Sequence, residues 1–417
     1  MRRHFFFTLL FVSATAWAIR VAADATPHDS PRTVAEYLAL ARAHNPNIAS
    51  AFAEARAARE RVGVAKGFPD PTLLYGYWIT SPPEEMMEGR SELRVMQPIP
   101  FPGKRGLRGD VATRAATVVS HASQQELLDL DYEVKVAFYD YVRVVEVETV
   151  LVREKQLLRN MRDVTRVREA AGTAPQQDVL KLDLAIAEIE DQMSMVEHEE
   201  DRTRAHLNHL MGRHAHEPLP RPSWSIPDAA AAEVVALTDS ALVRRPEVAA
   251  SMSQVEAAEL SRKLAKREYF PDFMVGVTWE FGGDMGMDDA WMLMAGIDLP
   301  IWFGKRRAMV REAEAMRQAA RYQLHADSLL VHREVEDAIH GVRSARERLT
   351  RFEQRILPRA EQVFQSSEAG YRAGRVEFID YLDSQRMLLA MRREYFGVVA
   401  ELGMEVAALE RAIATQE

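Results

Sequence analysis

The chain has no cysteine. That excludes disulfides, thiol catalysis, thiolate metal ligands and the lipid-bearing cysteine of a lipoprotein. Beyond the N-terminus it has no run of 18 apolar residues, so none of its helices is built to span a bilayer. If exported, such a chain is either soluble in the periplasm or inserted as a β-barrel. A formal net charge of -9 argues against binding polyanions through bulk charge, and no nucleic-acid partner is expected. The 19 prolines and 20 glycines fall in a few clusters, which leaves long stretches where nothing interrupts a helix. There is no HExxH, GxSxG or P-loop motif and no paired-carboxylate cleft, so the expectation is no enzyme and no cofactor.

What is present begins with residues 1–18. Arg2-Arg3-His4 precede the apolar run Phe5 to Val12, and Ala16-Trp17-Ala18 follows. This is a positive n-region, a short h-region and an A-x-A site, the pattern of a secretory signal peptide. Cleavage after Val21-Ala22-Ala23 would extend it to residue 23.

The remainder is written twice, about 200 residues apart. His44-Asn45-Pro46-Asn47 returns as Arg244-Arg245-Pro246-Glu247, and Phe68-Pro69-Asp70 as Phe270-Pro271-Asp272. Pro100-Phe101-Pro102-Gly103-Lys104-Arg105 returns as Pro300-Ile301-Trp302-Phe303-Gly304-Lys305-Arg306. Ala171-Gly172 with Asp178 returns as Ala373-Gly374 with Asp380. The order is kept, so the chain is a duplication with two equivalent halves.

Each half has the same internal order. Thr33-Val34-Ala35-Glu36 is a capping box that opens a helix, and a second helix runs to Lys66 before Gly67-Phe68-Pro69-Asp70-Pro71 stops it. Apolar residues then recur with period two. Leu73, Tyr75, Tyr77 and Ile79 share one face of a strand over about 72–80, and Leu93, Val95 and Ile99 share one face of a strand over about 91–99. Strands over about 273–281 and 290–299 repeat this, with Val275, Val277 and Trp279 alternating against Gly276, Thr278 and Glu280. Four strands cannot close a barrel alone, so a membrane reading requires oligomerisation. After each hairpin comes a helix of unusual length, Lys104 to Ala171 and Arg306 to Ala373, the second broken only by Pro358. Each ends in a glycine turn followed by a return helix, about Gln176 to Leu210 and Phe378 to Ala412. Helices this long imply coiled-coil pairing. The expected organisation is a first repeat at 33–212, a proline-rich linker at 213–232 and a second repeat at 233–412.

In this order of elements, and in Gln97-Pro98-Ile99-Pro100-Phe101-Pro102-Gly103-Lys104-Arg105 and Leu207-Asn208-His209-Leu210-Met211-Gly212, the chain resembles the TolC family of outer-membrane efflux ducts. It is most similar to the branch serving heavy-metal exporters of the RND type. The resemblance implies a mainly α fold with a small β part, in which long coiled coils form a periplasmic α-barrel. Two hairpins per subunit would give four strands of a homotrimeric twelve-stranded barrel in outer-membrane lipid. The implied partners are a periplasmic adaptor and an inner-membrane RND-type pump, the duct being passive. A drug-efflux or type I secretion duct would share the family, and a soluble periplasmic helical scaffold is the alternative outside it.

Asp380 and Asp383 lie at i, i+3 on one helical face. Spacing alone reads them as helix-start acids that offset the macrodipole. The resemblance implies instead a ring of carboxylates at the pore constriction. It likewise implies that Asp178 and Tyr371, with Arg375, form a latch at the periplasmic gate. The family's arginine in that latch falls on Val376 here, one position from Arg375. Gly172, Thr173 and Gly374 are the implied adaptor-contacting tips. Met285, Met287, Met292 and Met294, with Met86 and Met87, are weak candidates for a soft-metal site. Flexible methionine also fills irregular apolar gaps, and that reading is favoured. His206, His209, His214 and His216 near the linker read as surface histidines.

Overall fold

The computed structural model describes residues 31–79, 90–227, 234–282 and 288–415. The expected signal peptide, Met86, Met87, Met285 and Met287 lie outside the described residues. Two short helices open the first half, α1 (Val34–His44) and α2 (Pro46–Lys66). Thr33 and Glu36 close the expected capping box over α1. Asn45 then ends α1 and caps α2, its side chain accepting from the N–H groups of Asn47 and Ile48 at 2.8 and 3.3 Å. Pro46 takes the first position of α2, where its missing N–H costs nothing.

Strands β1 (Thr72–Tyr77) and β2 (Ser91–Ile99) form the first hairpin. Strands β3 (Asp272–Phe281) and β4 (Ala290–Asp298) form the second. β1 is shorter than the expected 72–80. Its pairing closes at Tyr77 opposite Ser91, and the Trp78 N–H bonds Arg90 O at 3.0 Å. All four strands join one antiparallel sheet in the order β1-β2-β3-β4, so the halves meet at β2–β3, with Val95 opposite Val277. The outer strands leave two open edges.

The two sheet faces differ in chemistry, because directly opposed residues point the same way. One face carries the rows Leu73–Val95–Val277–Leu293 and Tyr75–Leu93–Trp279–Trp291. Trp279 stacks on Trp291 at 5.6 Å between ring centroids and on Phe281 at 4.3 Å. The other face carries Leu74–Arg94–Thr278–Met292 and Gly76–Glu92–Glu280–Ala290, with an Arg94–Glu92 ion pair at 2.5 Å. Met292 and Met294 therefore lie on the mixed face, beside Thr278 and Gly276.

From the sheet the chain descends in α3 (Lys104–Ala170), a 67-residue helix roughly 100 Å long. It returns in α4 (Gln176–Leu210). Val144, Val147, Leu151, Leu158 and Met161 on α3 recur at steps of three, four, seven and three, and Leu182, Ile186, Ile189, Met193 and Val196 on α4 at alternating steps of four and three. That spacing keeps one apolar seam between paired helices, and these residues meet in one buried cluster with Phe378, Leu382 and Leu389. Residues 213–227 form no regular element. They run across the bundle, where the Ser223 N–H bonds Arg32 O at 2.8 Å and Trp224 donates to Glu146 at 3.0 Å.

The second half has α5 (Val234–Arg244), α6 (Pro246–Arg267), α7 (Phe303–Arg351), α8 (Leu357–Arg372) and α9 (Phe378–Ala412). Pro358 does not break the chain of helices. Between α7 and α8 a single π turn, Phe352–Ile356, widens the coil, and the Leu357 N–H reaches Phe352 O five residues back. Proline has no N–H to continue the ladder, and a π turn is one way to absorb that loss without a kink. Arg245, at the second-half counterpart of Asn45, is fully buried and pairs with Glu247 at 2.7 Å and Glu334 at 2.8 Å.

Candidate functional site at the helix tips

Both helical hairpins end in the same turn. α3 closes with the Gly172 N–H on Glu169 O at 2.8 Å and the Thr173 N–H on Arg168 O at 2.8 Å. α8 closes with the Gly374 N–H on Tyr371 O at 3.0 Å and the Arg375 N–H on Gly370 O at 2.8 Å. These are Schellman motifs, which need a left-handed residue after the helix. Gly172 (φ 69) and Gly374 (φ 68) supply it. Gly172, Thr173, Gly374 and Arg375 are all exposed. The two tips lie side by side, since the Arg168 guanidinium sits 5.2 Å from the Tyr371 ring centroid.

Tyr371 is packed into its own hairpin. It stacks on Tyr381 at 5.2 Å and meets Phe378 edge-on at 5.6 Å. No hydrogen bond joins Asp178 to Tyr371 within the subunit. Arg168 acts on both: it covers the Tyr371 ring, and its charge favours the ionised Asp178. Asp178 is buried in the first turn of α4, and burial pushes its carboxyl up against the opposing pull of Lys181 and Arg168. Arg375 makes no side-chain hydrogen bond or ion pair among the described residues.

Asp380 and Asp383 point outward from α9, both exposed, while Tyr381, Leu382, Ser384 and Gln385 between and beside them are buried. Asp380 lies in the first turn of α9, so it also offsets the macrodipole. The two acids have different neighbours. Arg386 lies 3.8 Å from Asp383 and is itself held by Glu188 at 2.9 Å. Asp380 has no cationic partner among the described residues.

Between α3, α8 and α9, just inside the tips, lies a cavity of about 310 Å³, lined by Met161, Thr165, Tyr371, Phe378 and Tyr381 among others. One turn deeper is Glu154, which sequence reading missed. It is 6 % exposed on the apolar seam of α3, and its Oε1 has no hydrogen-bond partner. Burial raises its carboxyl to about 7, against the attraction of Arg392. Its signal was in the sequence, because Glu154 falls where the three-four spacing of Leu151 and Leu158 demands an apolar residue. Arg168 and Arg386 carry no such signal, since each acts through a contact between separate helices.

Among the described residues no group of three or more His, Asp or Glu is arranged to hold a metal ion. Nor is any helix there long and apolar enough to cross a membrane.

A four-stranded sheet apolar on one face is thus carried on paired helices whose far ends lie side by side at two glycine turns. Residues 237–415 match the outer membrane efflux protein family. Over 384 residues the chain is 22% identical to the cobalt-zinc-cadmium resistance protein CzcC of Cupriavidus metallidurans, covering 92% of this chain and 90% of that one. Its fold is similar to the outer-membrane channel OprN, with a TM-score of 0.80, 21% identity, and 92% and 90% of the two chains covered. It is also similar to CusC, with a TM-score of 0.78, 16% identity and 91% of each chain covered. The family match covers the second half of the chain, and the likeness to OprN and CusC is one of fold.

Proposed function

We propose that the protein is the outer-membrane duct of a tripartite efflux system. Three copies assemble side by side, their four-stranded sheets completing one barrel in outer-membrane lipid and their helices one tunnel through the periplasm. The observation that carries this is the sheet itself. In lipid its open edges can be satisfied only by further strands, and a face of Leu73, Tyr75, Val277, Trp279, Trp291 and Leu293 suits hydrocarbon with an aromatic rim. A soluble scaffold would leave that face in water, since Leu293 is 83% and Trp291 71% exposed.

The tips at Gly172, Thr173 and Gly374 are the surface an adaptor would engage, and an inner-membrane RND-type pump would supply both energy and selectivity. Heavy-metal cations are the favoured cargo, on the relation to CzcC along nearly the whole chain. In this reading Asp380 and Asp383 ring the narrow end, and Asp178, Tyr371 and Arg375 belong to the gate around it. The test is extraction from separated membranes. The protein should be in the outer-membrane fraction and show a detergent-corrected mass of three chains. A single-chain mass, or release with the soluble periplasmic contents, contradicts the reading.

A further inference from the structure

Where barrel meets helices, the first half is fastened by a buried ion cluster. Lys104, 1% exposed, reaches Asp272 at 2.9 Å, Glu268 at 3.2 Å and the carbonyl of Phe270 at 2.8 Å. The Phe101 N–H donates to the same Asp272 carboxylate at 2.7 Å, and the Phe101 ring stacks on Phe270 at 4.7 Å. Every one of these contacts joins the first half to the second, across the β2–β3 seam.

The duplication supplies the same parts a second time, and there the lysine and the aspartate form no ion pair, while Phe68 carries the Arg105 guanidinium on one ring face, 3.6 Å from its centroid. Lys305 and Trp302 repeat Lys104 and Phe101, while Asp70 and Phe68 repeat Asp272 and Phe270. All four are exposed, Trp302 by 74% and Phe68 by 57%. Neither Lys305 nor Asp70 has a side-chain partner among the described residues. Lys305 and Trp302 follow the open edge strand β4, and Phe68 and Asp70 precede the open edge strand β1. The two sets therefore lie at opposite margins of one subunit, complementary in charge and both rich in aromatic surface.

We propose that Lys305 and Trp302 of one subunit fasten onto Asp70 and Phe68 of the next, with β4 paired to β1 in the register that sets Ala295 opposite Tyr75. This rests on the trimeric reading above and adds the residues and register of its seam. The register follows from the repeat, since Val95 opposite Val277 in the internal seam becomes Ala295 opposite Tyr75 in the external one. It keeps the lipid-facing residues of both strands on one face, Ile297 opposite Leu73 and Leu293 opposite Tyr77. A shift by one residue would set Asp298 against Leu73 and mix the faces. The external fastening is thinner than the internal one. Lys66 stands where Glu268 does, and α7 starts at Phe303, whereas α3 starts at Lys104 after a left-handed Gly103.

Because the chain lacks cysteine, paired cysteines give a clean test. A disulfide needs Cβ atoms about 3.8 Å apart, whereas diagonal neighbours one pair off lie roughly 7 Å apart. Ala295→Cys with Tyr75→Cys should give disulfide-linked subunits at least about tenfold faster than Ala295→Cys with Leu73→Cys or with Tyr77→Cys. Asp70→Lys and Lys305→Asp should each lower the temperature at which the trimer dissociates, and the two together should recover most of that loss. The inference is overturned if an off-register pair links faster or no pair links while the detergent mass remains that of three chains. It is equally overturned if the charge reversals show no mutual rescue. A single-chain mass of the unmodified protein would instead overturn the trimeric reading.

Discussion

Replacing Glu154 by leucine is expected to stabilise the coiled coil near the tips by about 3 kcal/mol at pH 8. The carboxyl sits on the apolar seam between α3 and its neighbours, with one oxygen unpartnered and only the more distant charge of Arg392 to favour ionisation. Its ordinary value of 4.5 is raised to about 7 in the folded chain. Below 4.5 the group is protonated whether folded or unfolded, and burial of its charge costs nothing. The cost grows as pH rises and is complete above about 7, where the folded site must hold a charge that water would hold more cheaply. Acidification from pH 8 to 5 should therefore strengthen the native packing. Amide hydrogen exchange over residues 147–161, corrected for the intrinsic rate, reads this locally. Protection in the unmodified protein should rise by about two orders of magnitude toward pH 5. In Glu154→Gln that rise should vanish, and in Glu154→Leu protection should be high at both values. Equal pH dependence in the unmodified and Gln proteins would show that the group is not held ionised in a dry seam.

Much of this architecture is legible in the chain because two of its signals are physically rigid. Period-two alternation with one apolar side admits a single strand face, so β2, β3 and β4 fall within a residue of their expected limits. A glycine after an uninterrupted helix forces a left-handed turn, and the return helices begin where Gly172 and Gly374 require. What escapes reading depends on contacts between distant segments. Lys104 looks like any helix-start lysine until Asp272 and Glu268, more than 160 residues away, are folded onto it. Tyr371 reads as a free latch residue until Phe378 and Tyr381 stack against it. Pro358 promises a break that the π turn at Phe352–Ile356 absorbs. At the candidate constriction, the spacing of Asp380 and Asp383 fixes a shared face, but only the packing of α4 against α9 brings Glu188 and Arg386 beside one of them.

That asymmetry shapes the second large effect. If three subunits bring these acids to one constriction, six carboxylates share a narrow aqueous neck, and their summed potential concentrates cations there. Focused potentials of this kind change local ion concentration by about tenfold or more. In planar bilayers, Asp380→Asn with Asp383→Asn should reduce the cation-to-anion permeability ratio by on the order of tenfold. It should also abolish block by multivalent cations added at the tip side. Asparagine keeps the size and helix fit, so conductance itself should persist. The single variants should not be equal. Asp383 is partly neutralised by Arg386 at 3.8 Å, whereas Asp380 has no such neighbour, so Asp380→Asn should account for most of the loss. Reversal potentials unchanged in the double variant would return both residues to the role of helix-start acids.

The most direct measurement of the central claim, a duct that spans the outer membrane with its tips in the periplasm, uses single cysteines at the two ends. Asp288→Cys lies at the exposed end of the second hairpin loop, and Thr173→Cys on the exposed first tip. Intact cells would be treated with a maleimide on a polyethylene glycol chain too large to pass the outer membrane. The cysteine at 288 should be modified in intact cells, and the one at 173 only after the outer membrane is permeabilised. Modification at 173 in intact cells, or protection of 288 until permeabilisation, would contradict the account.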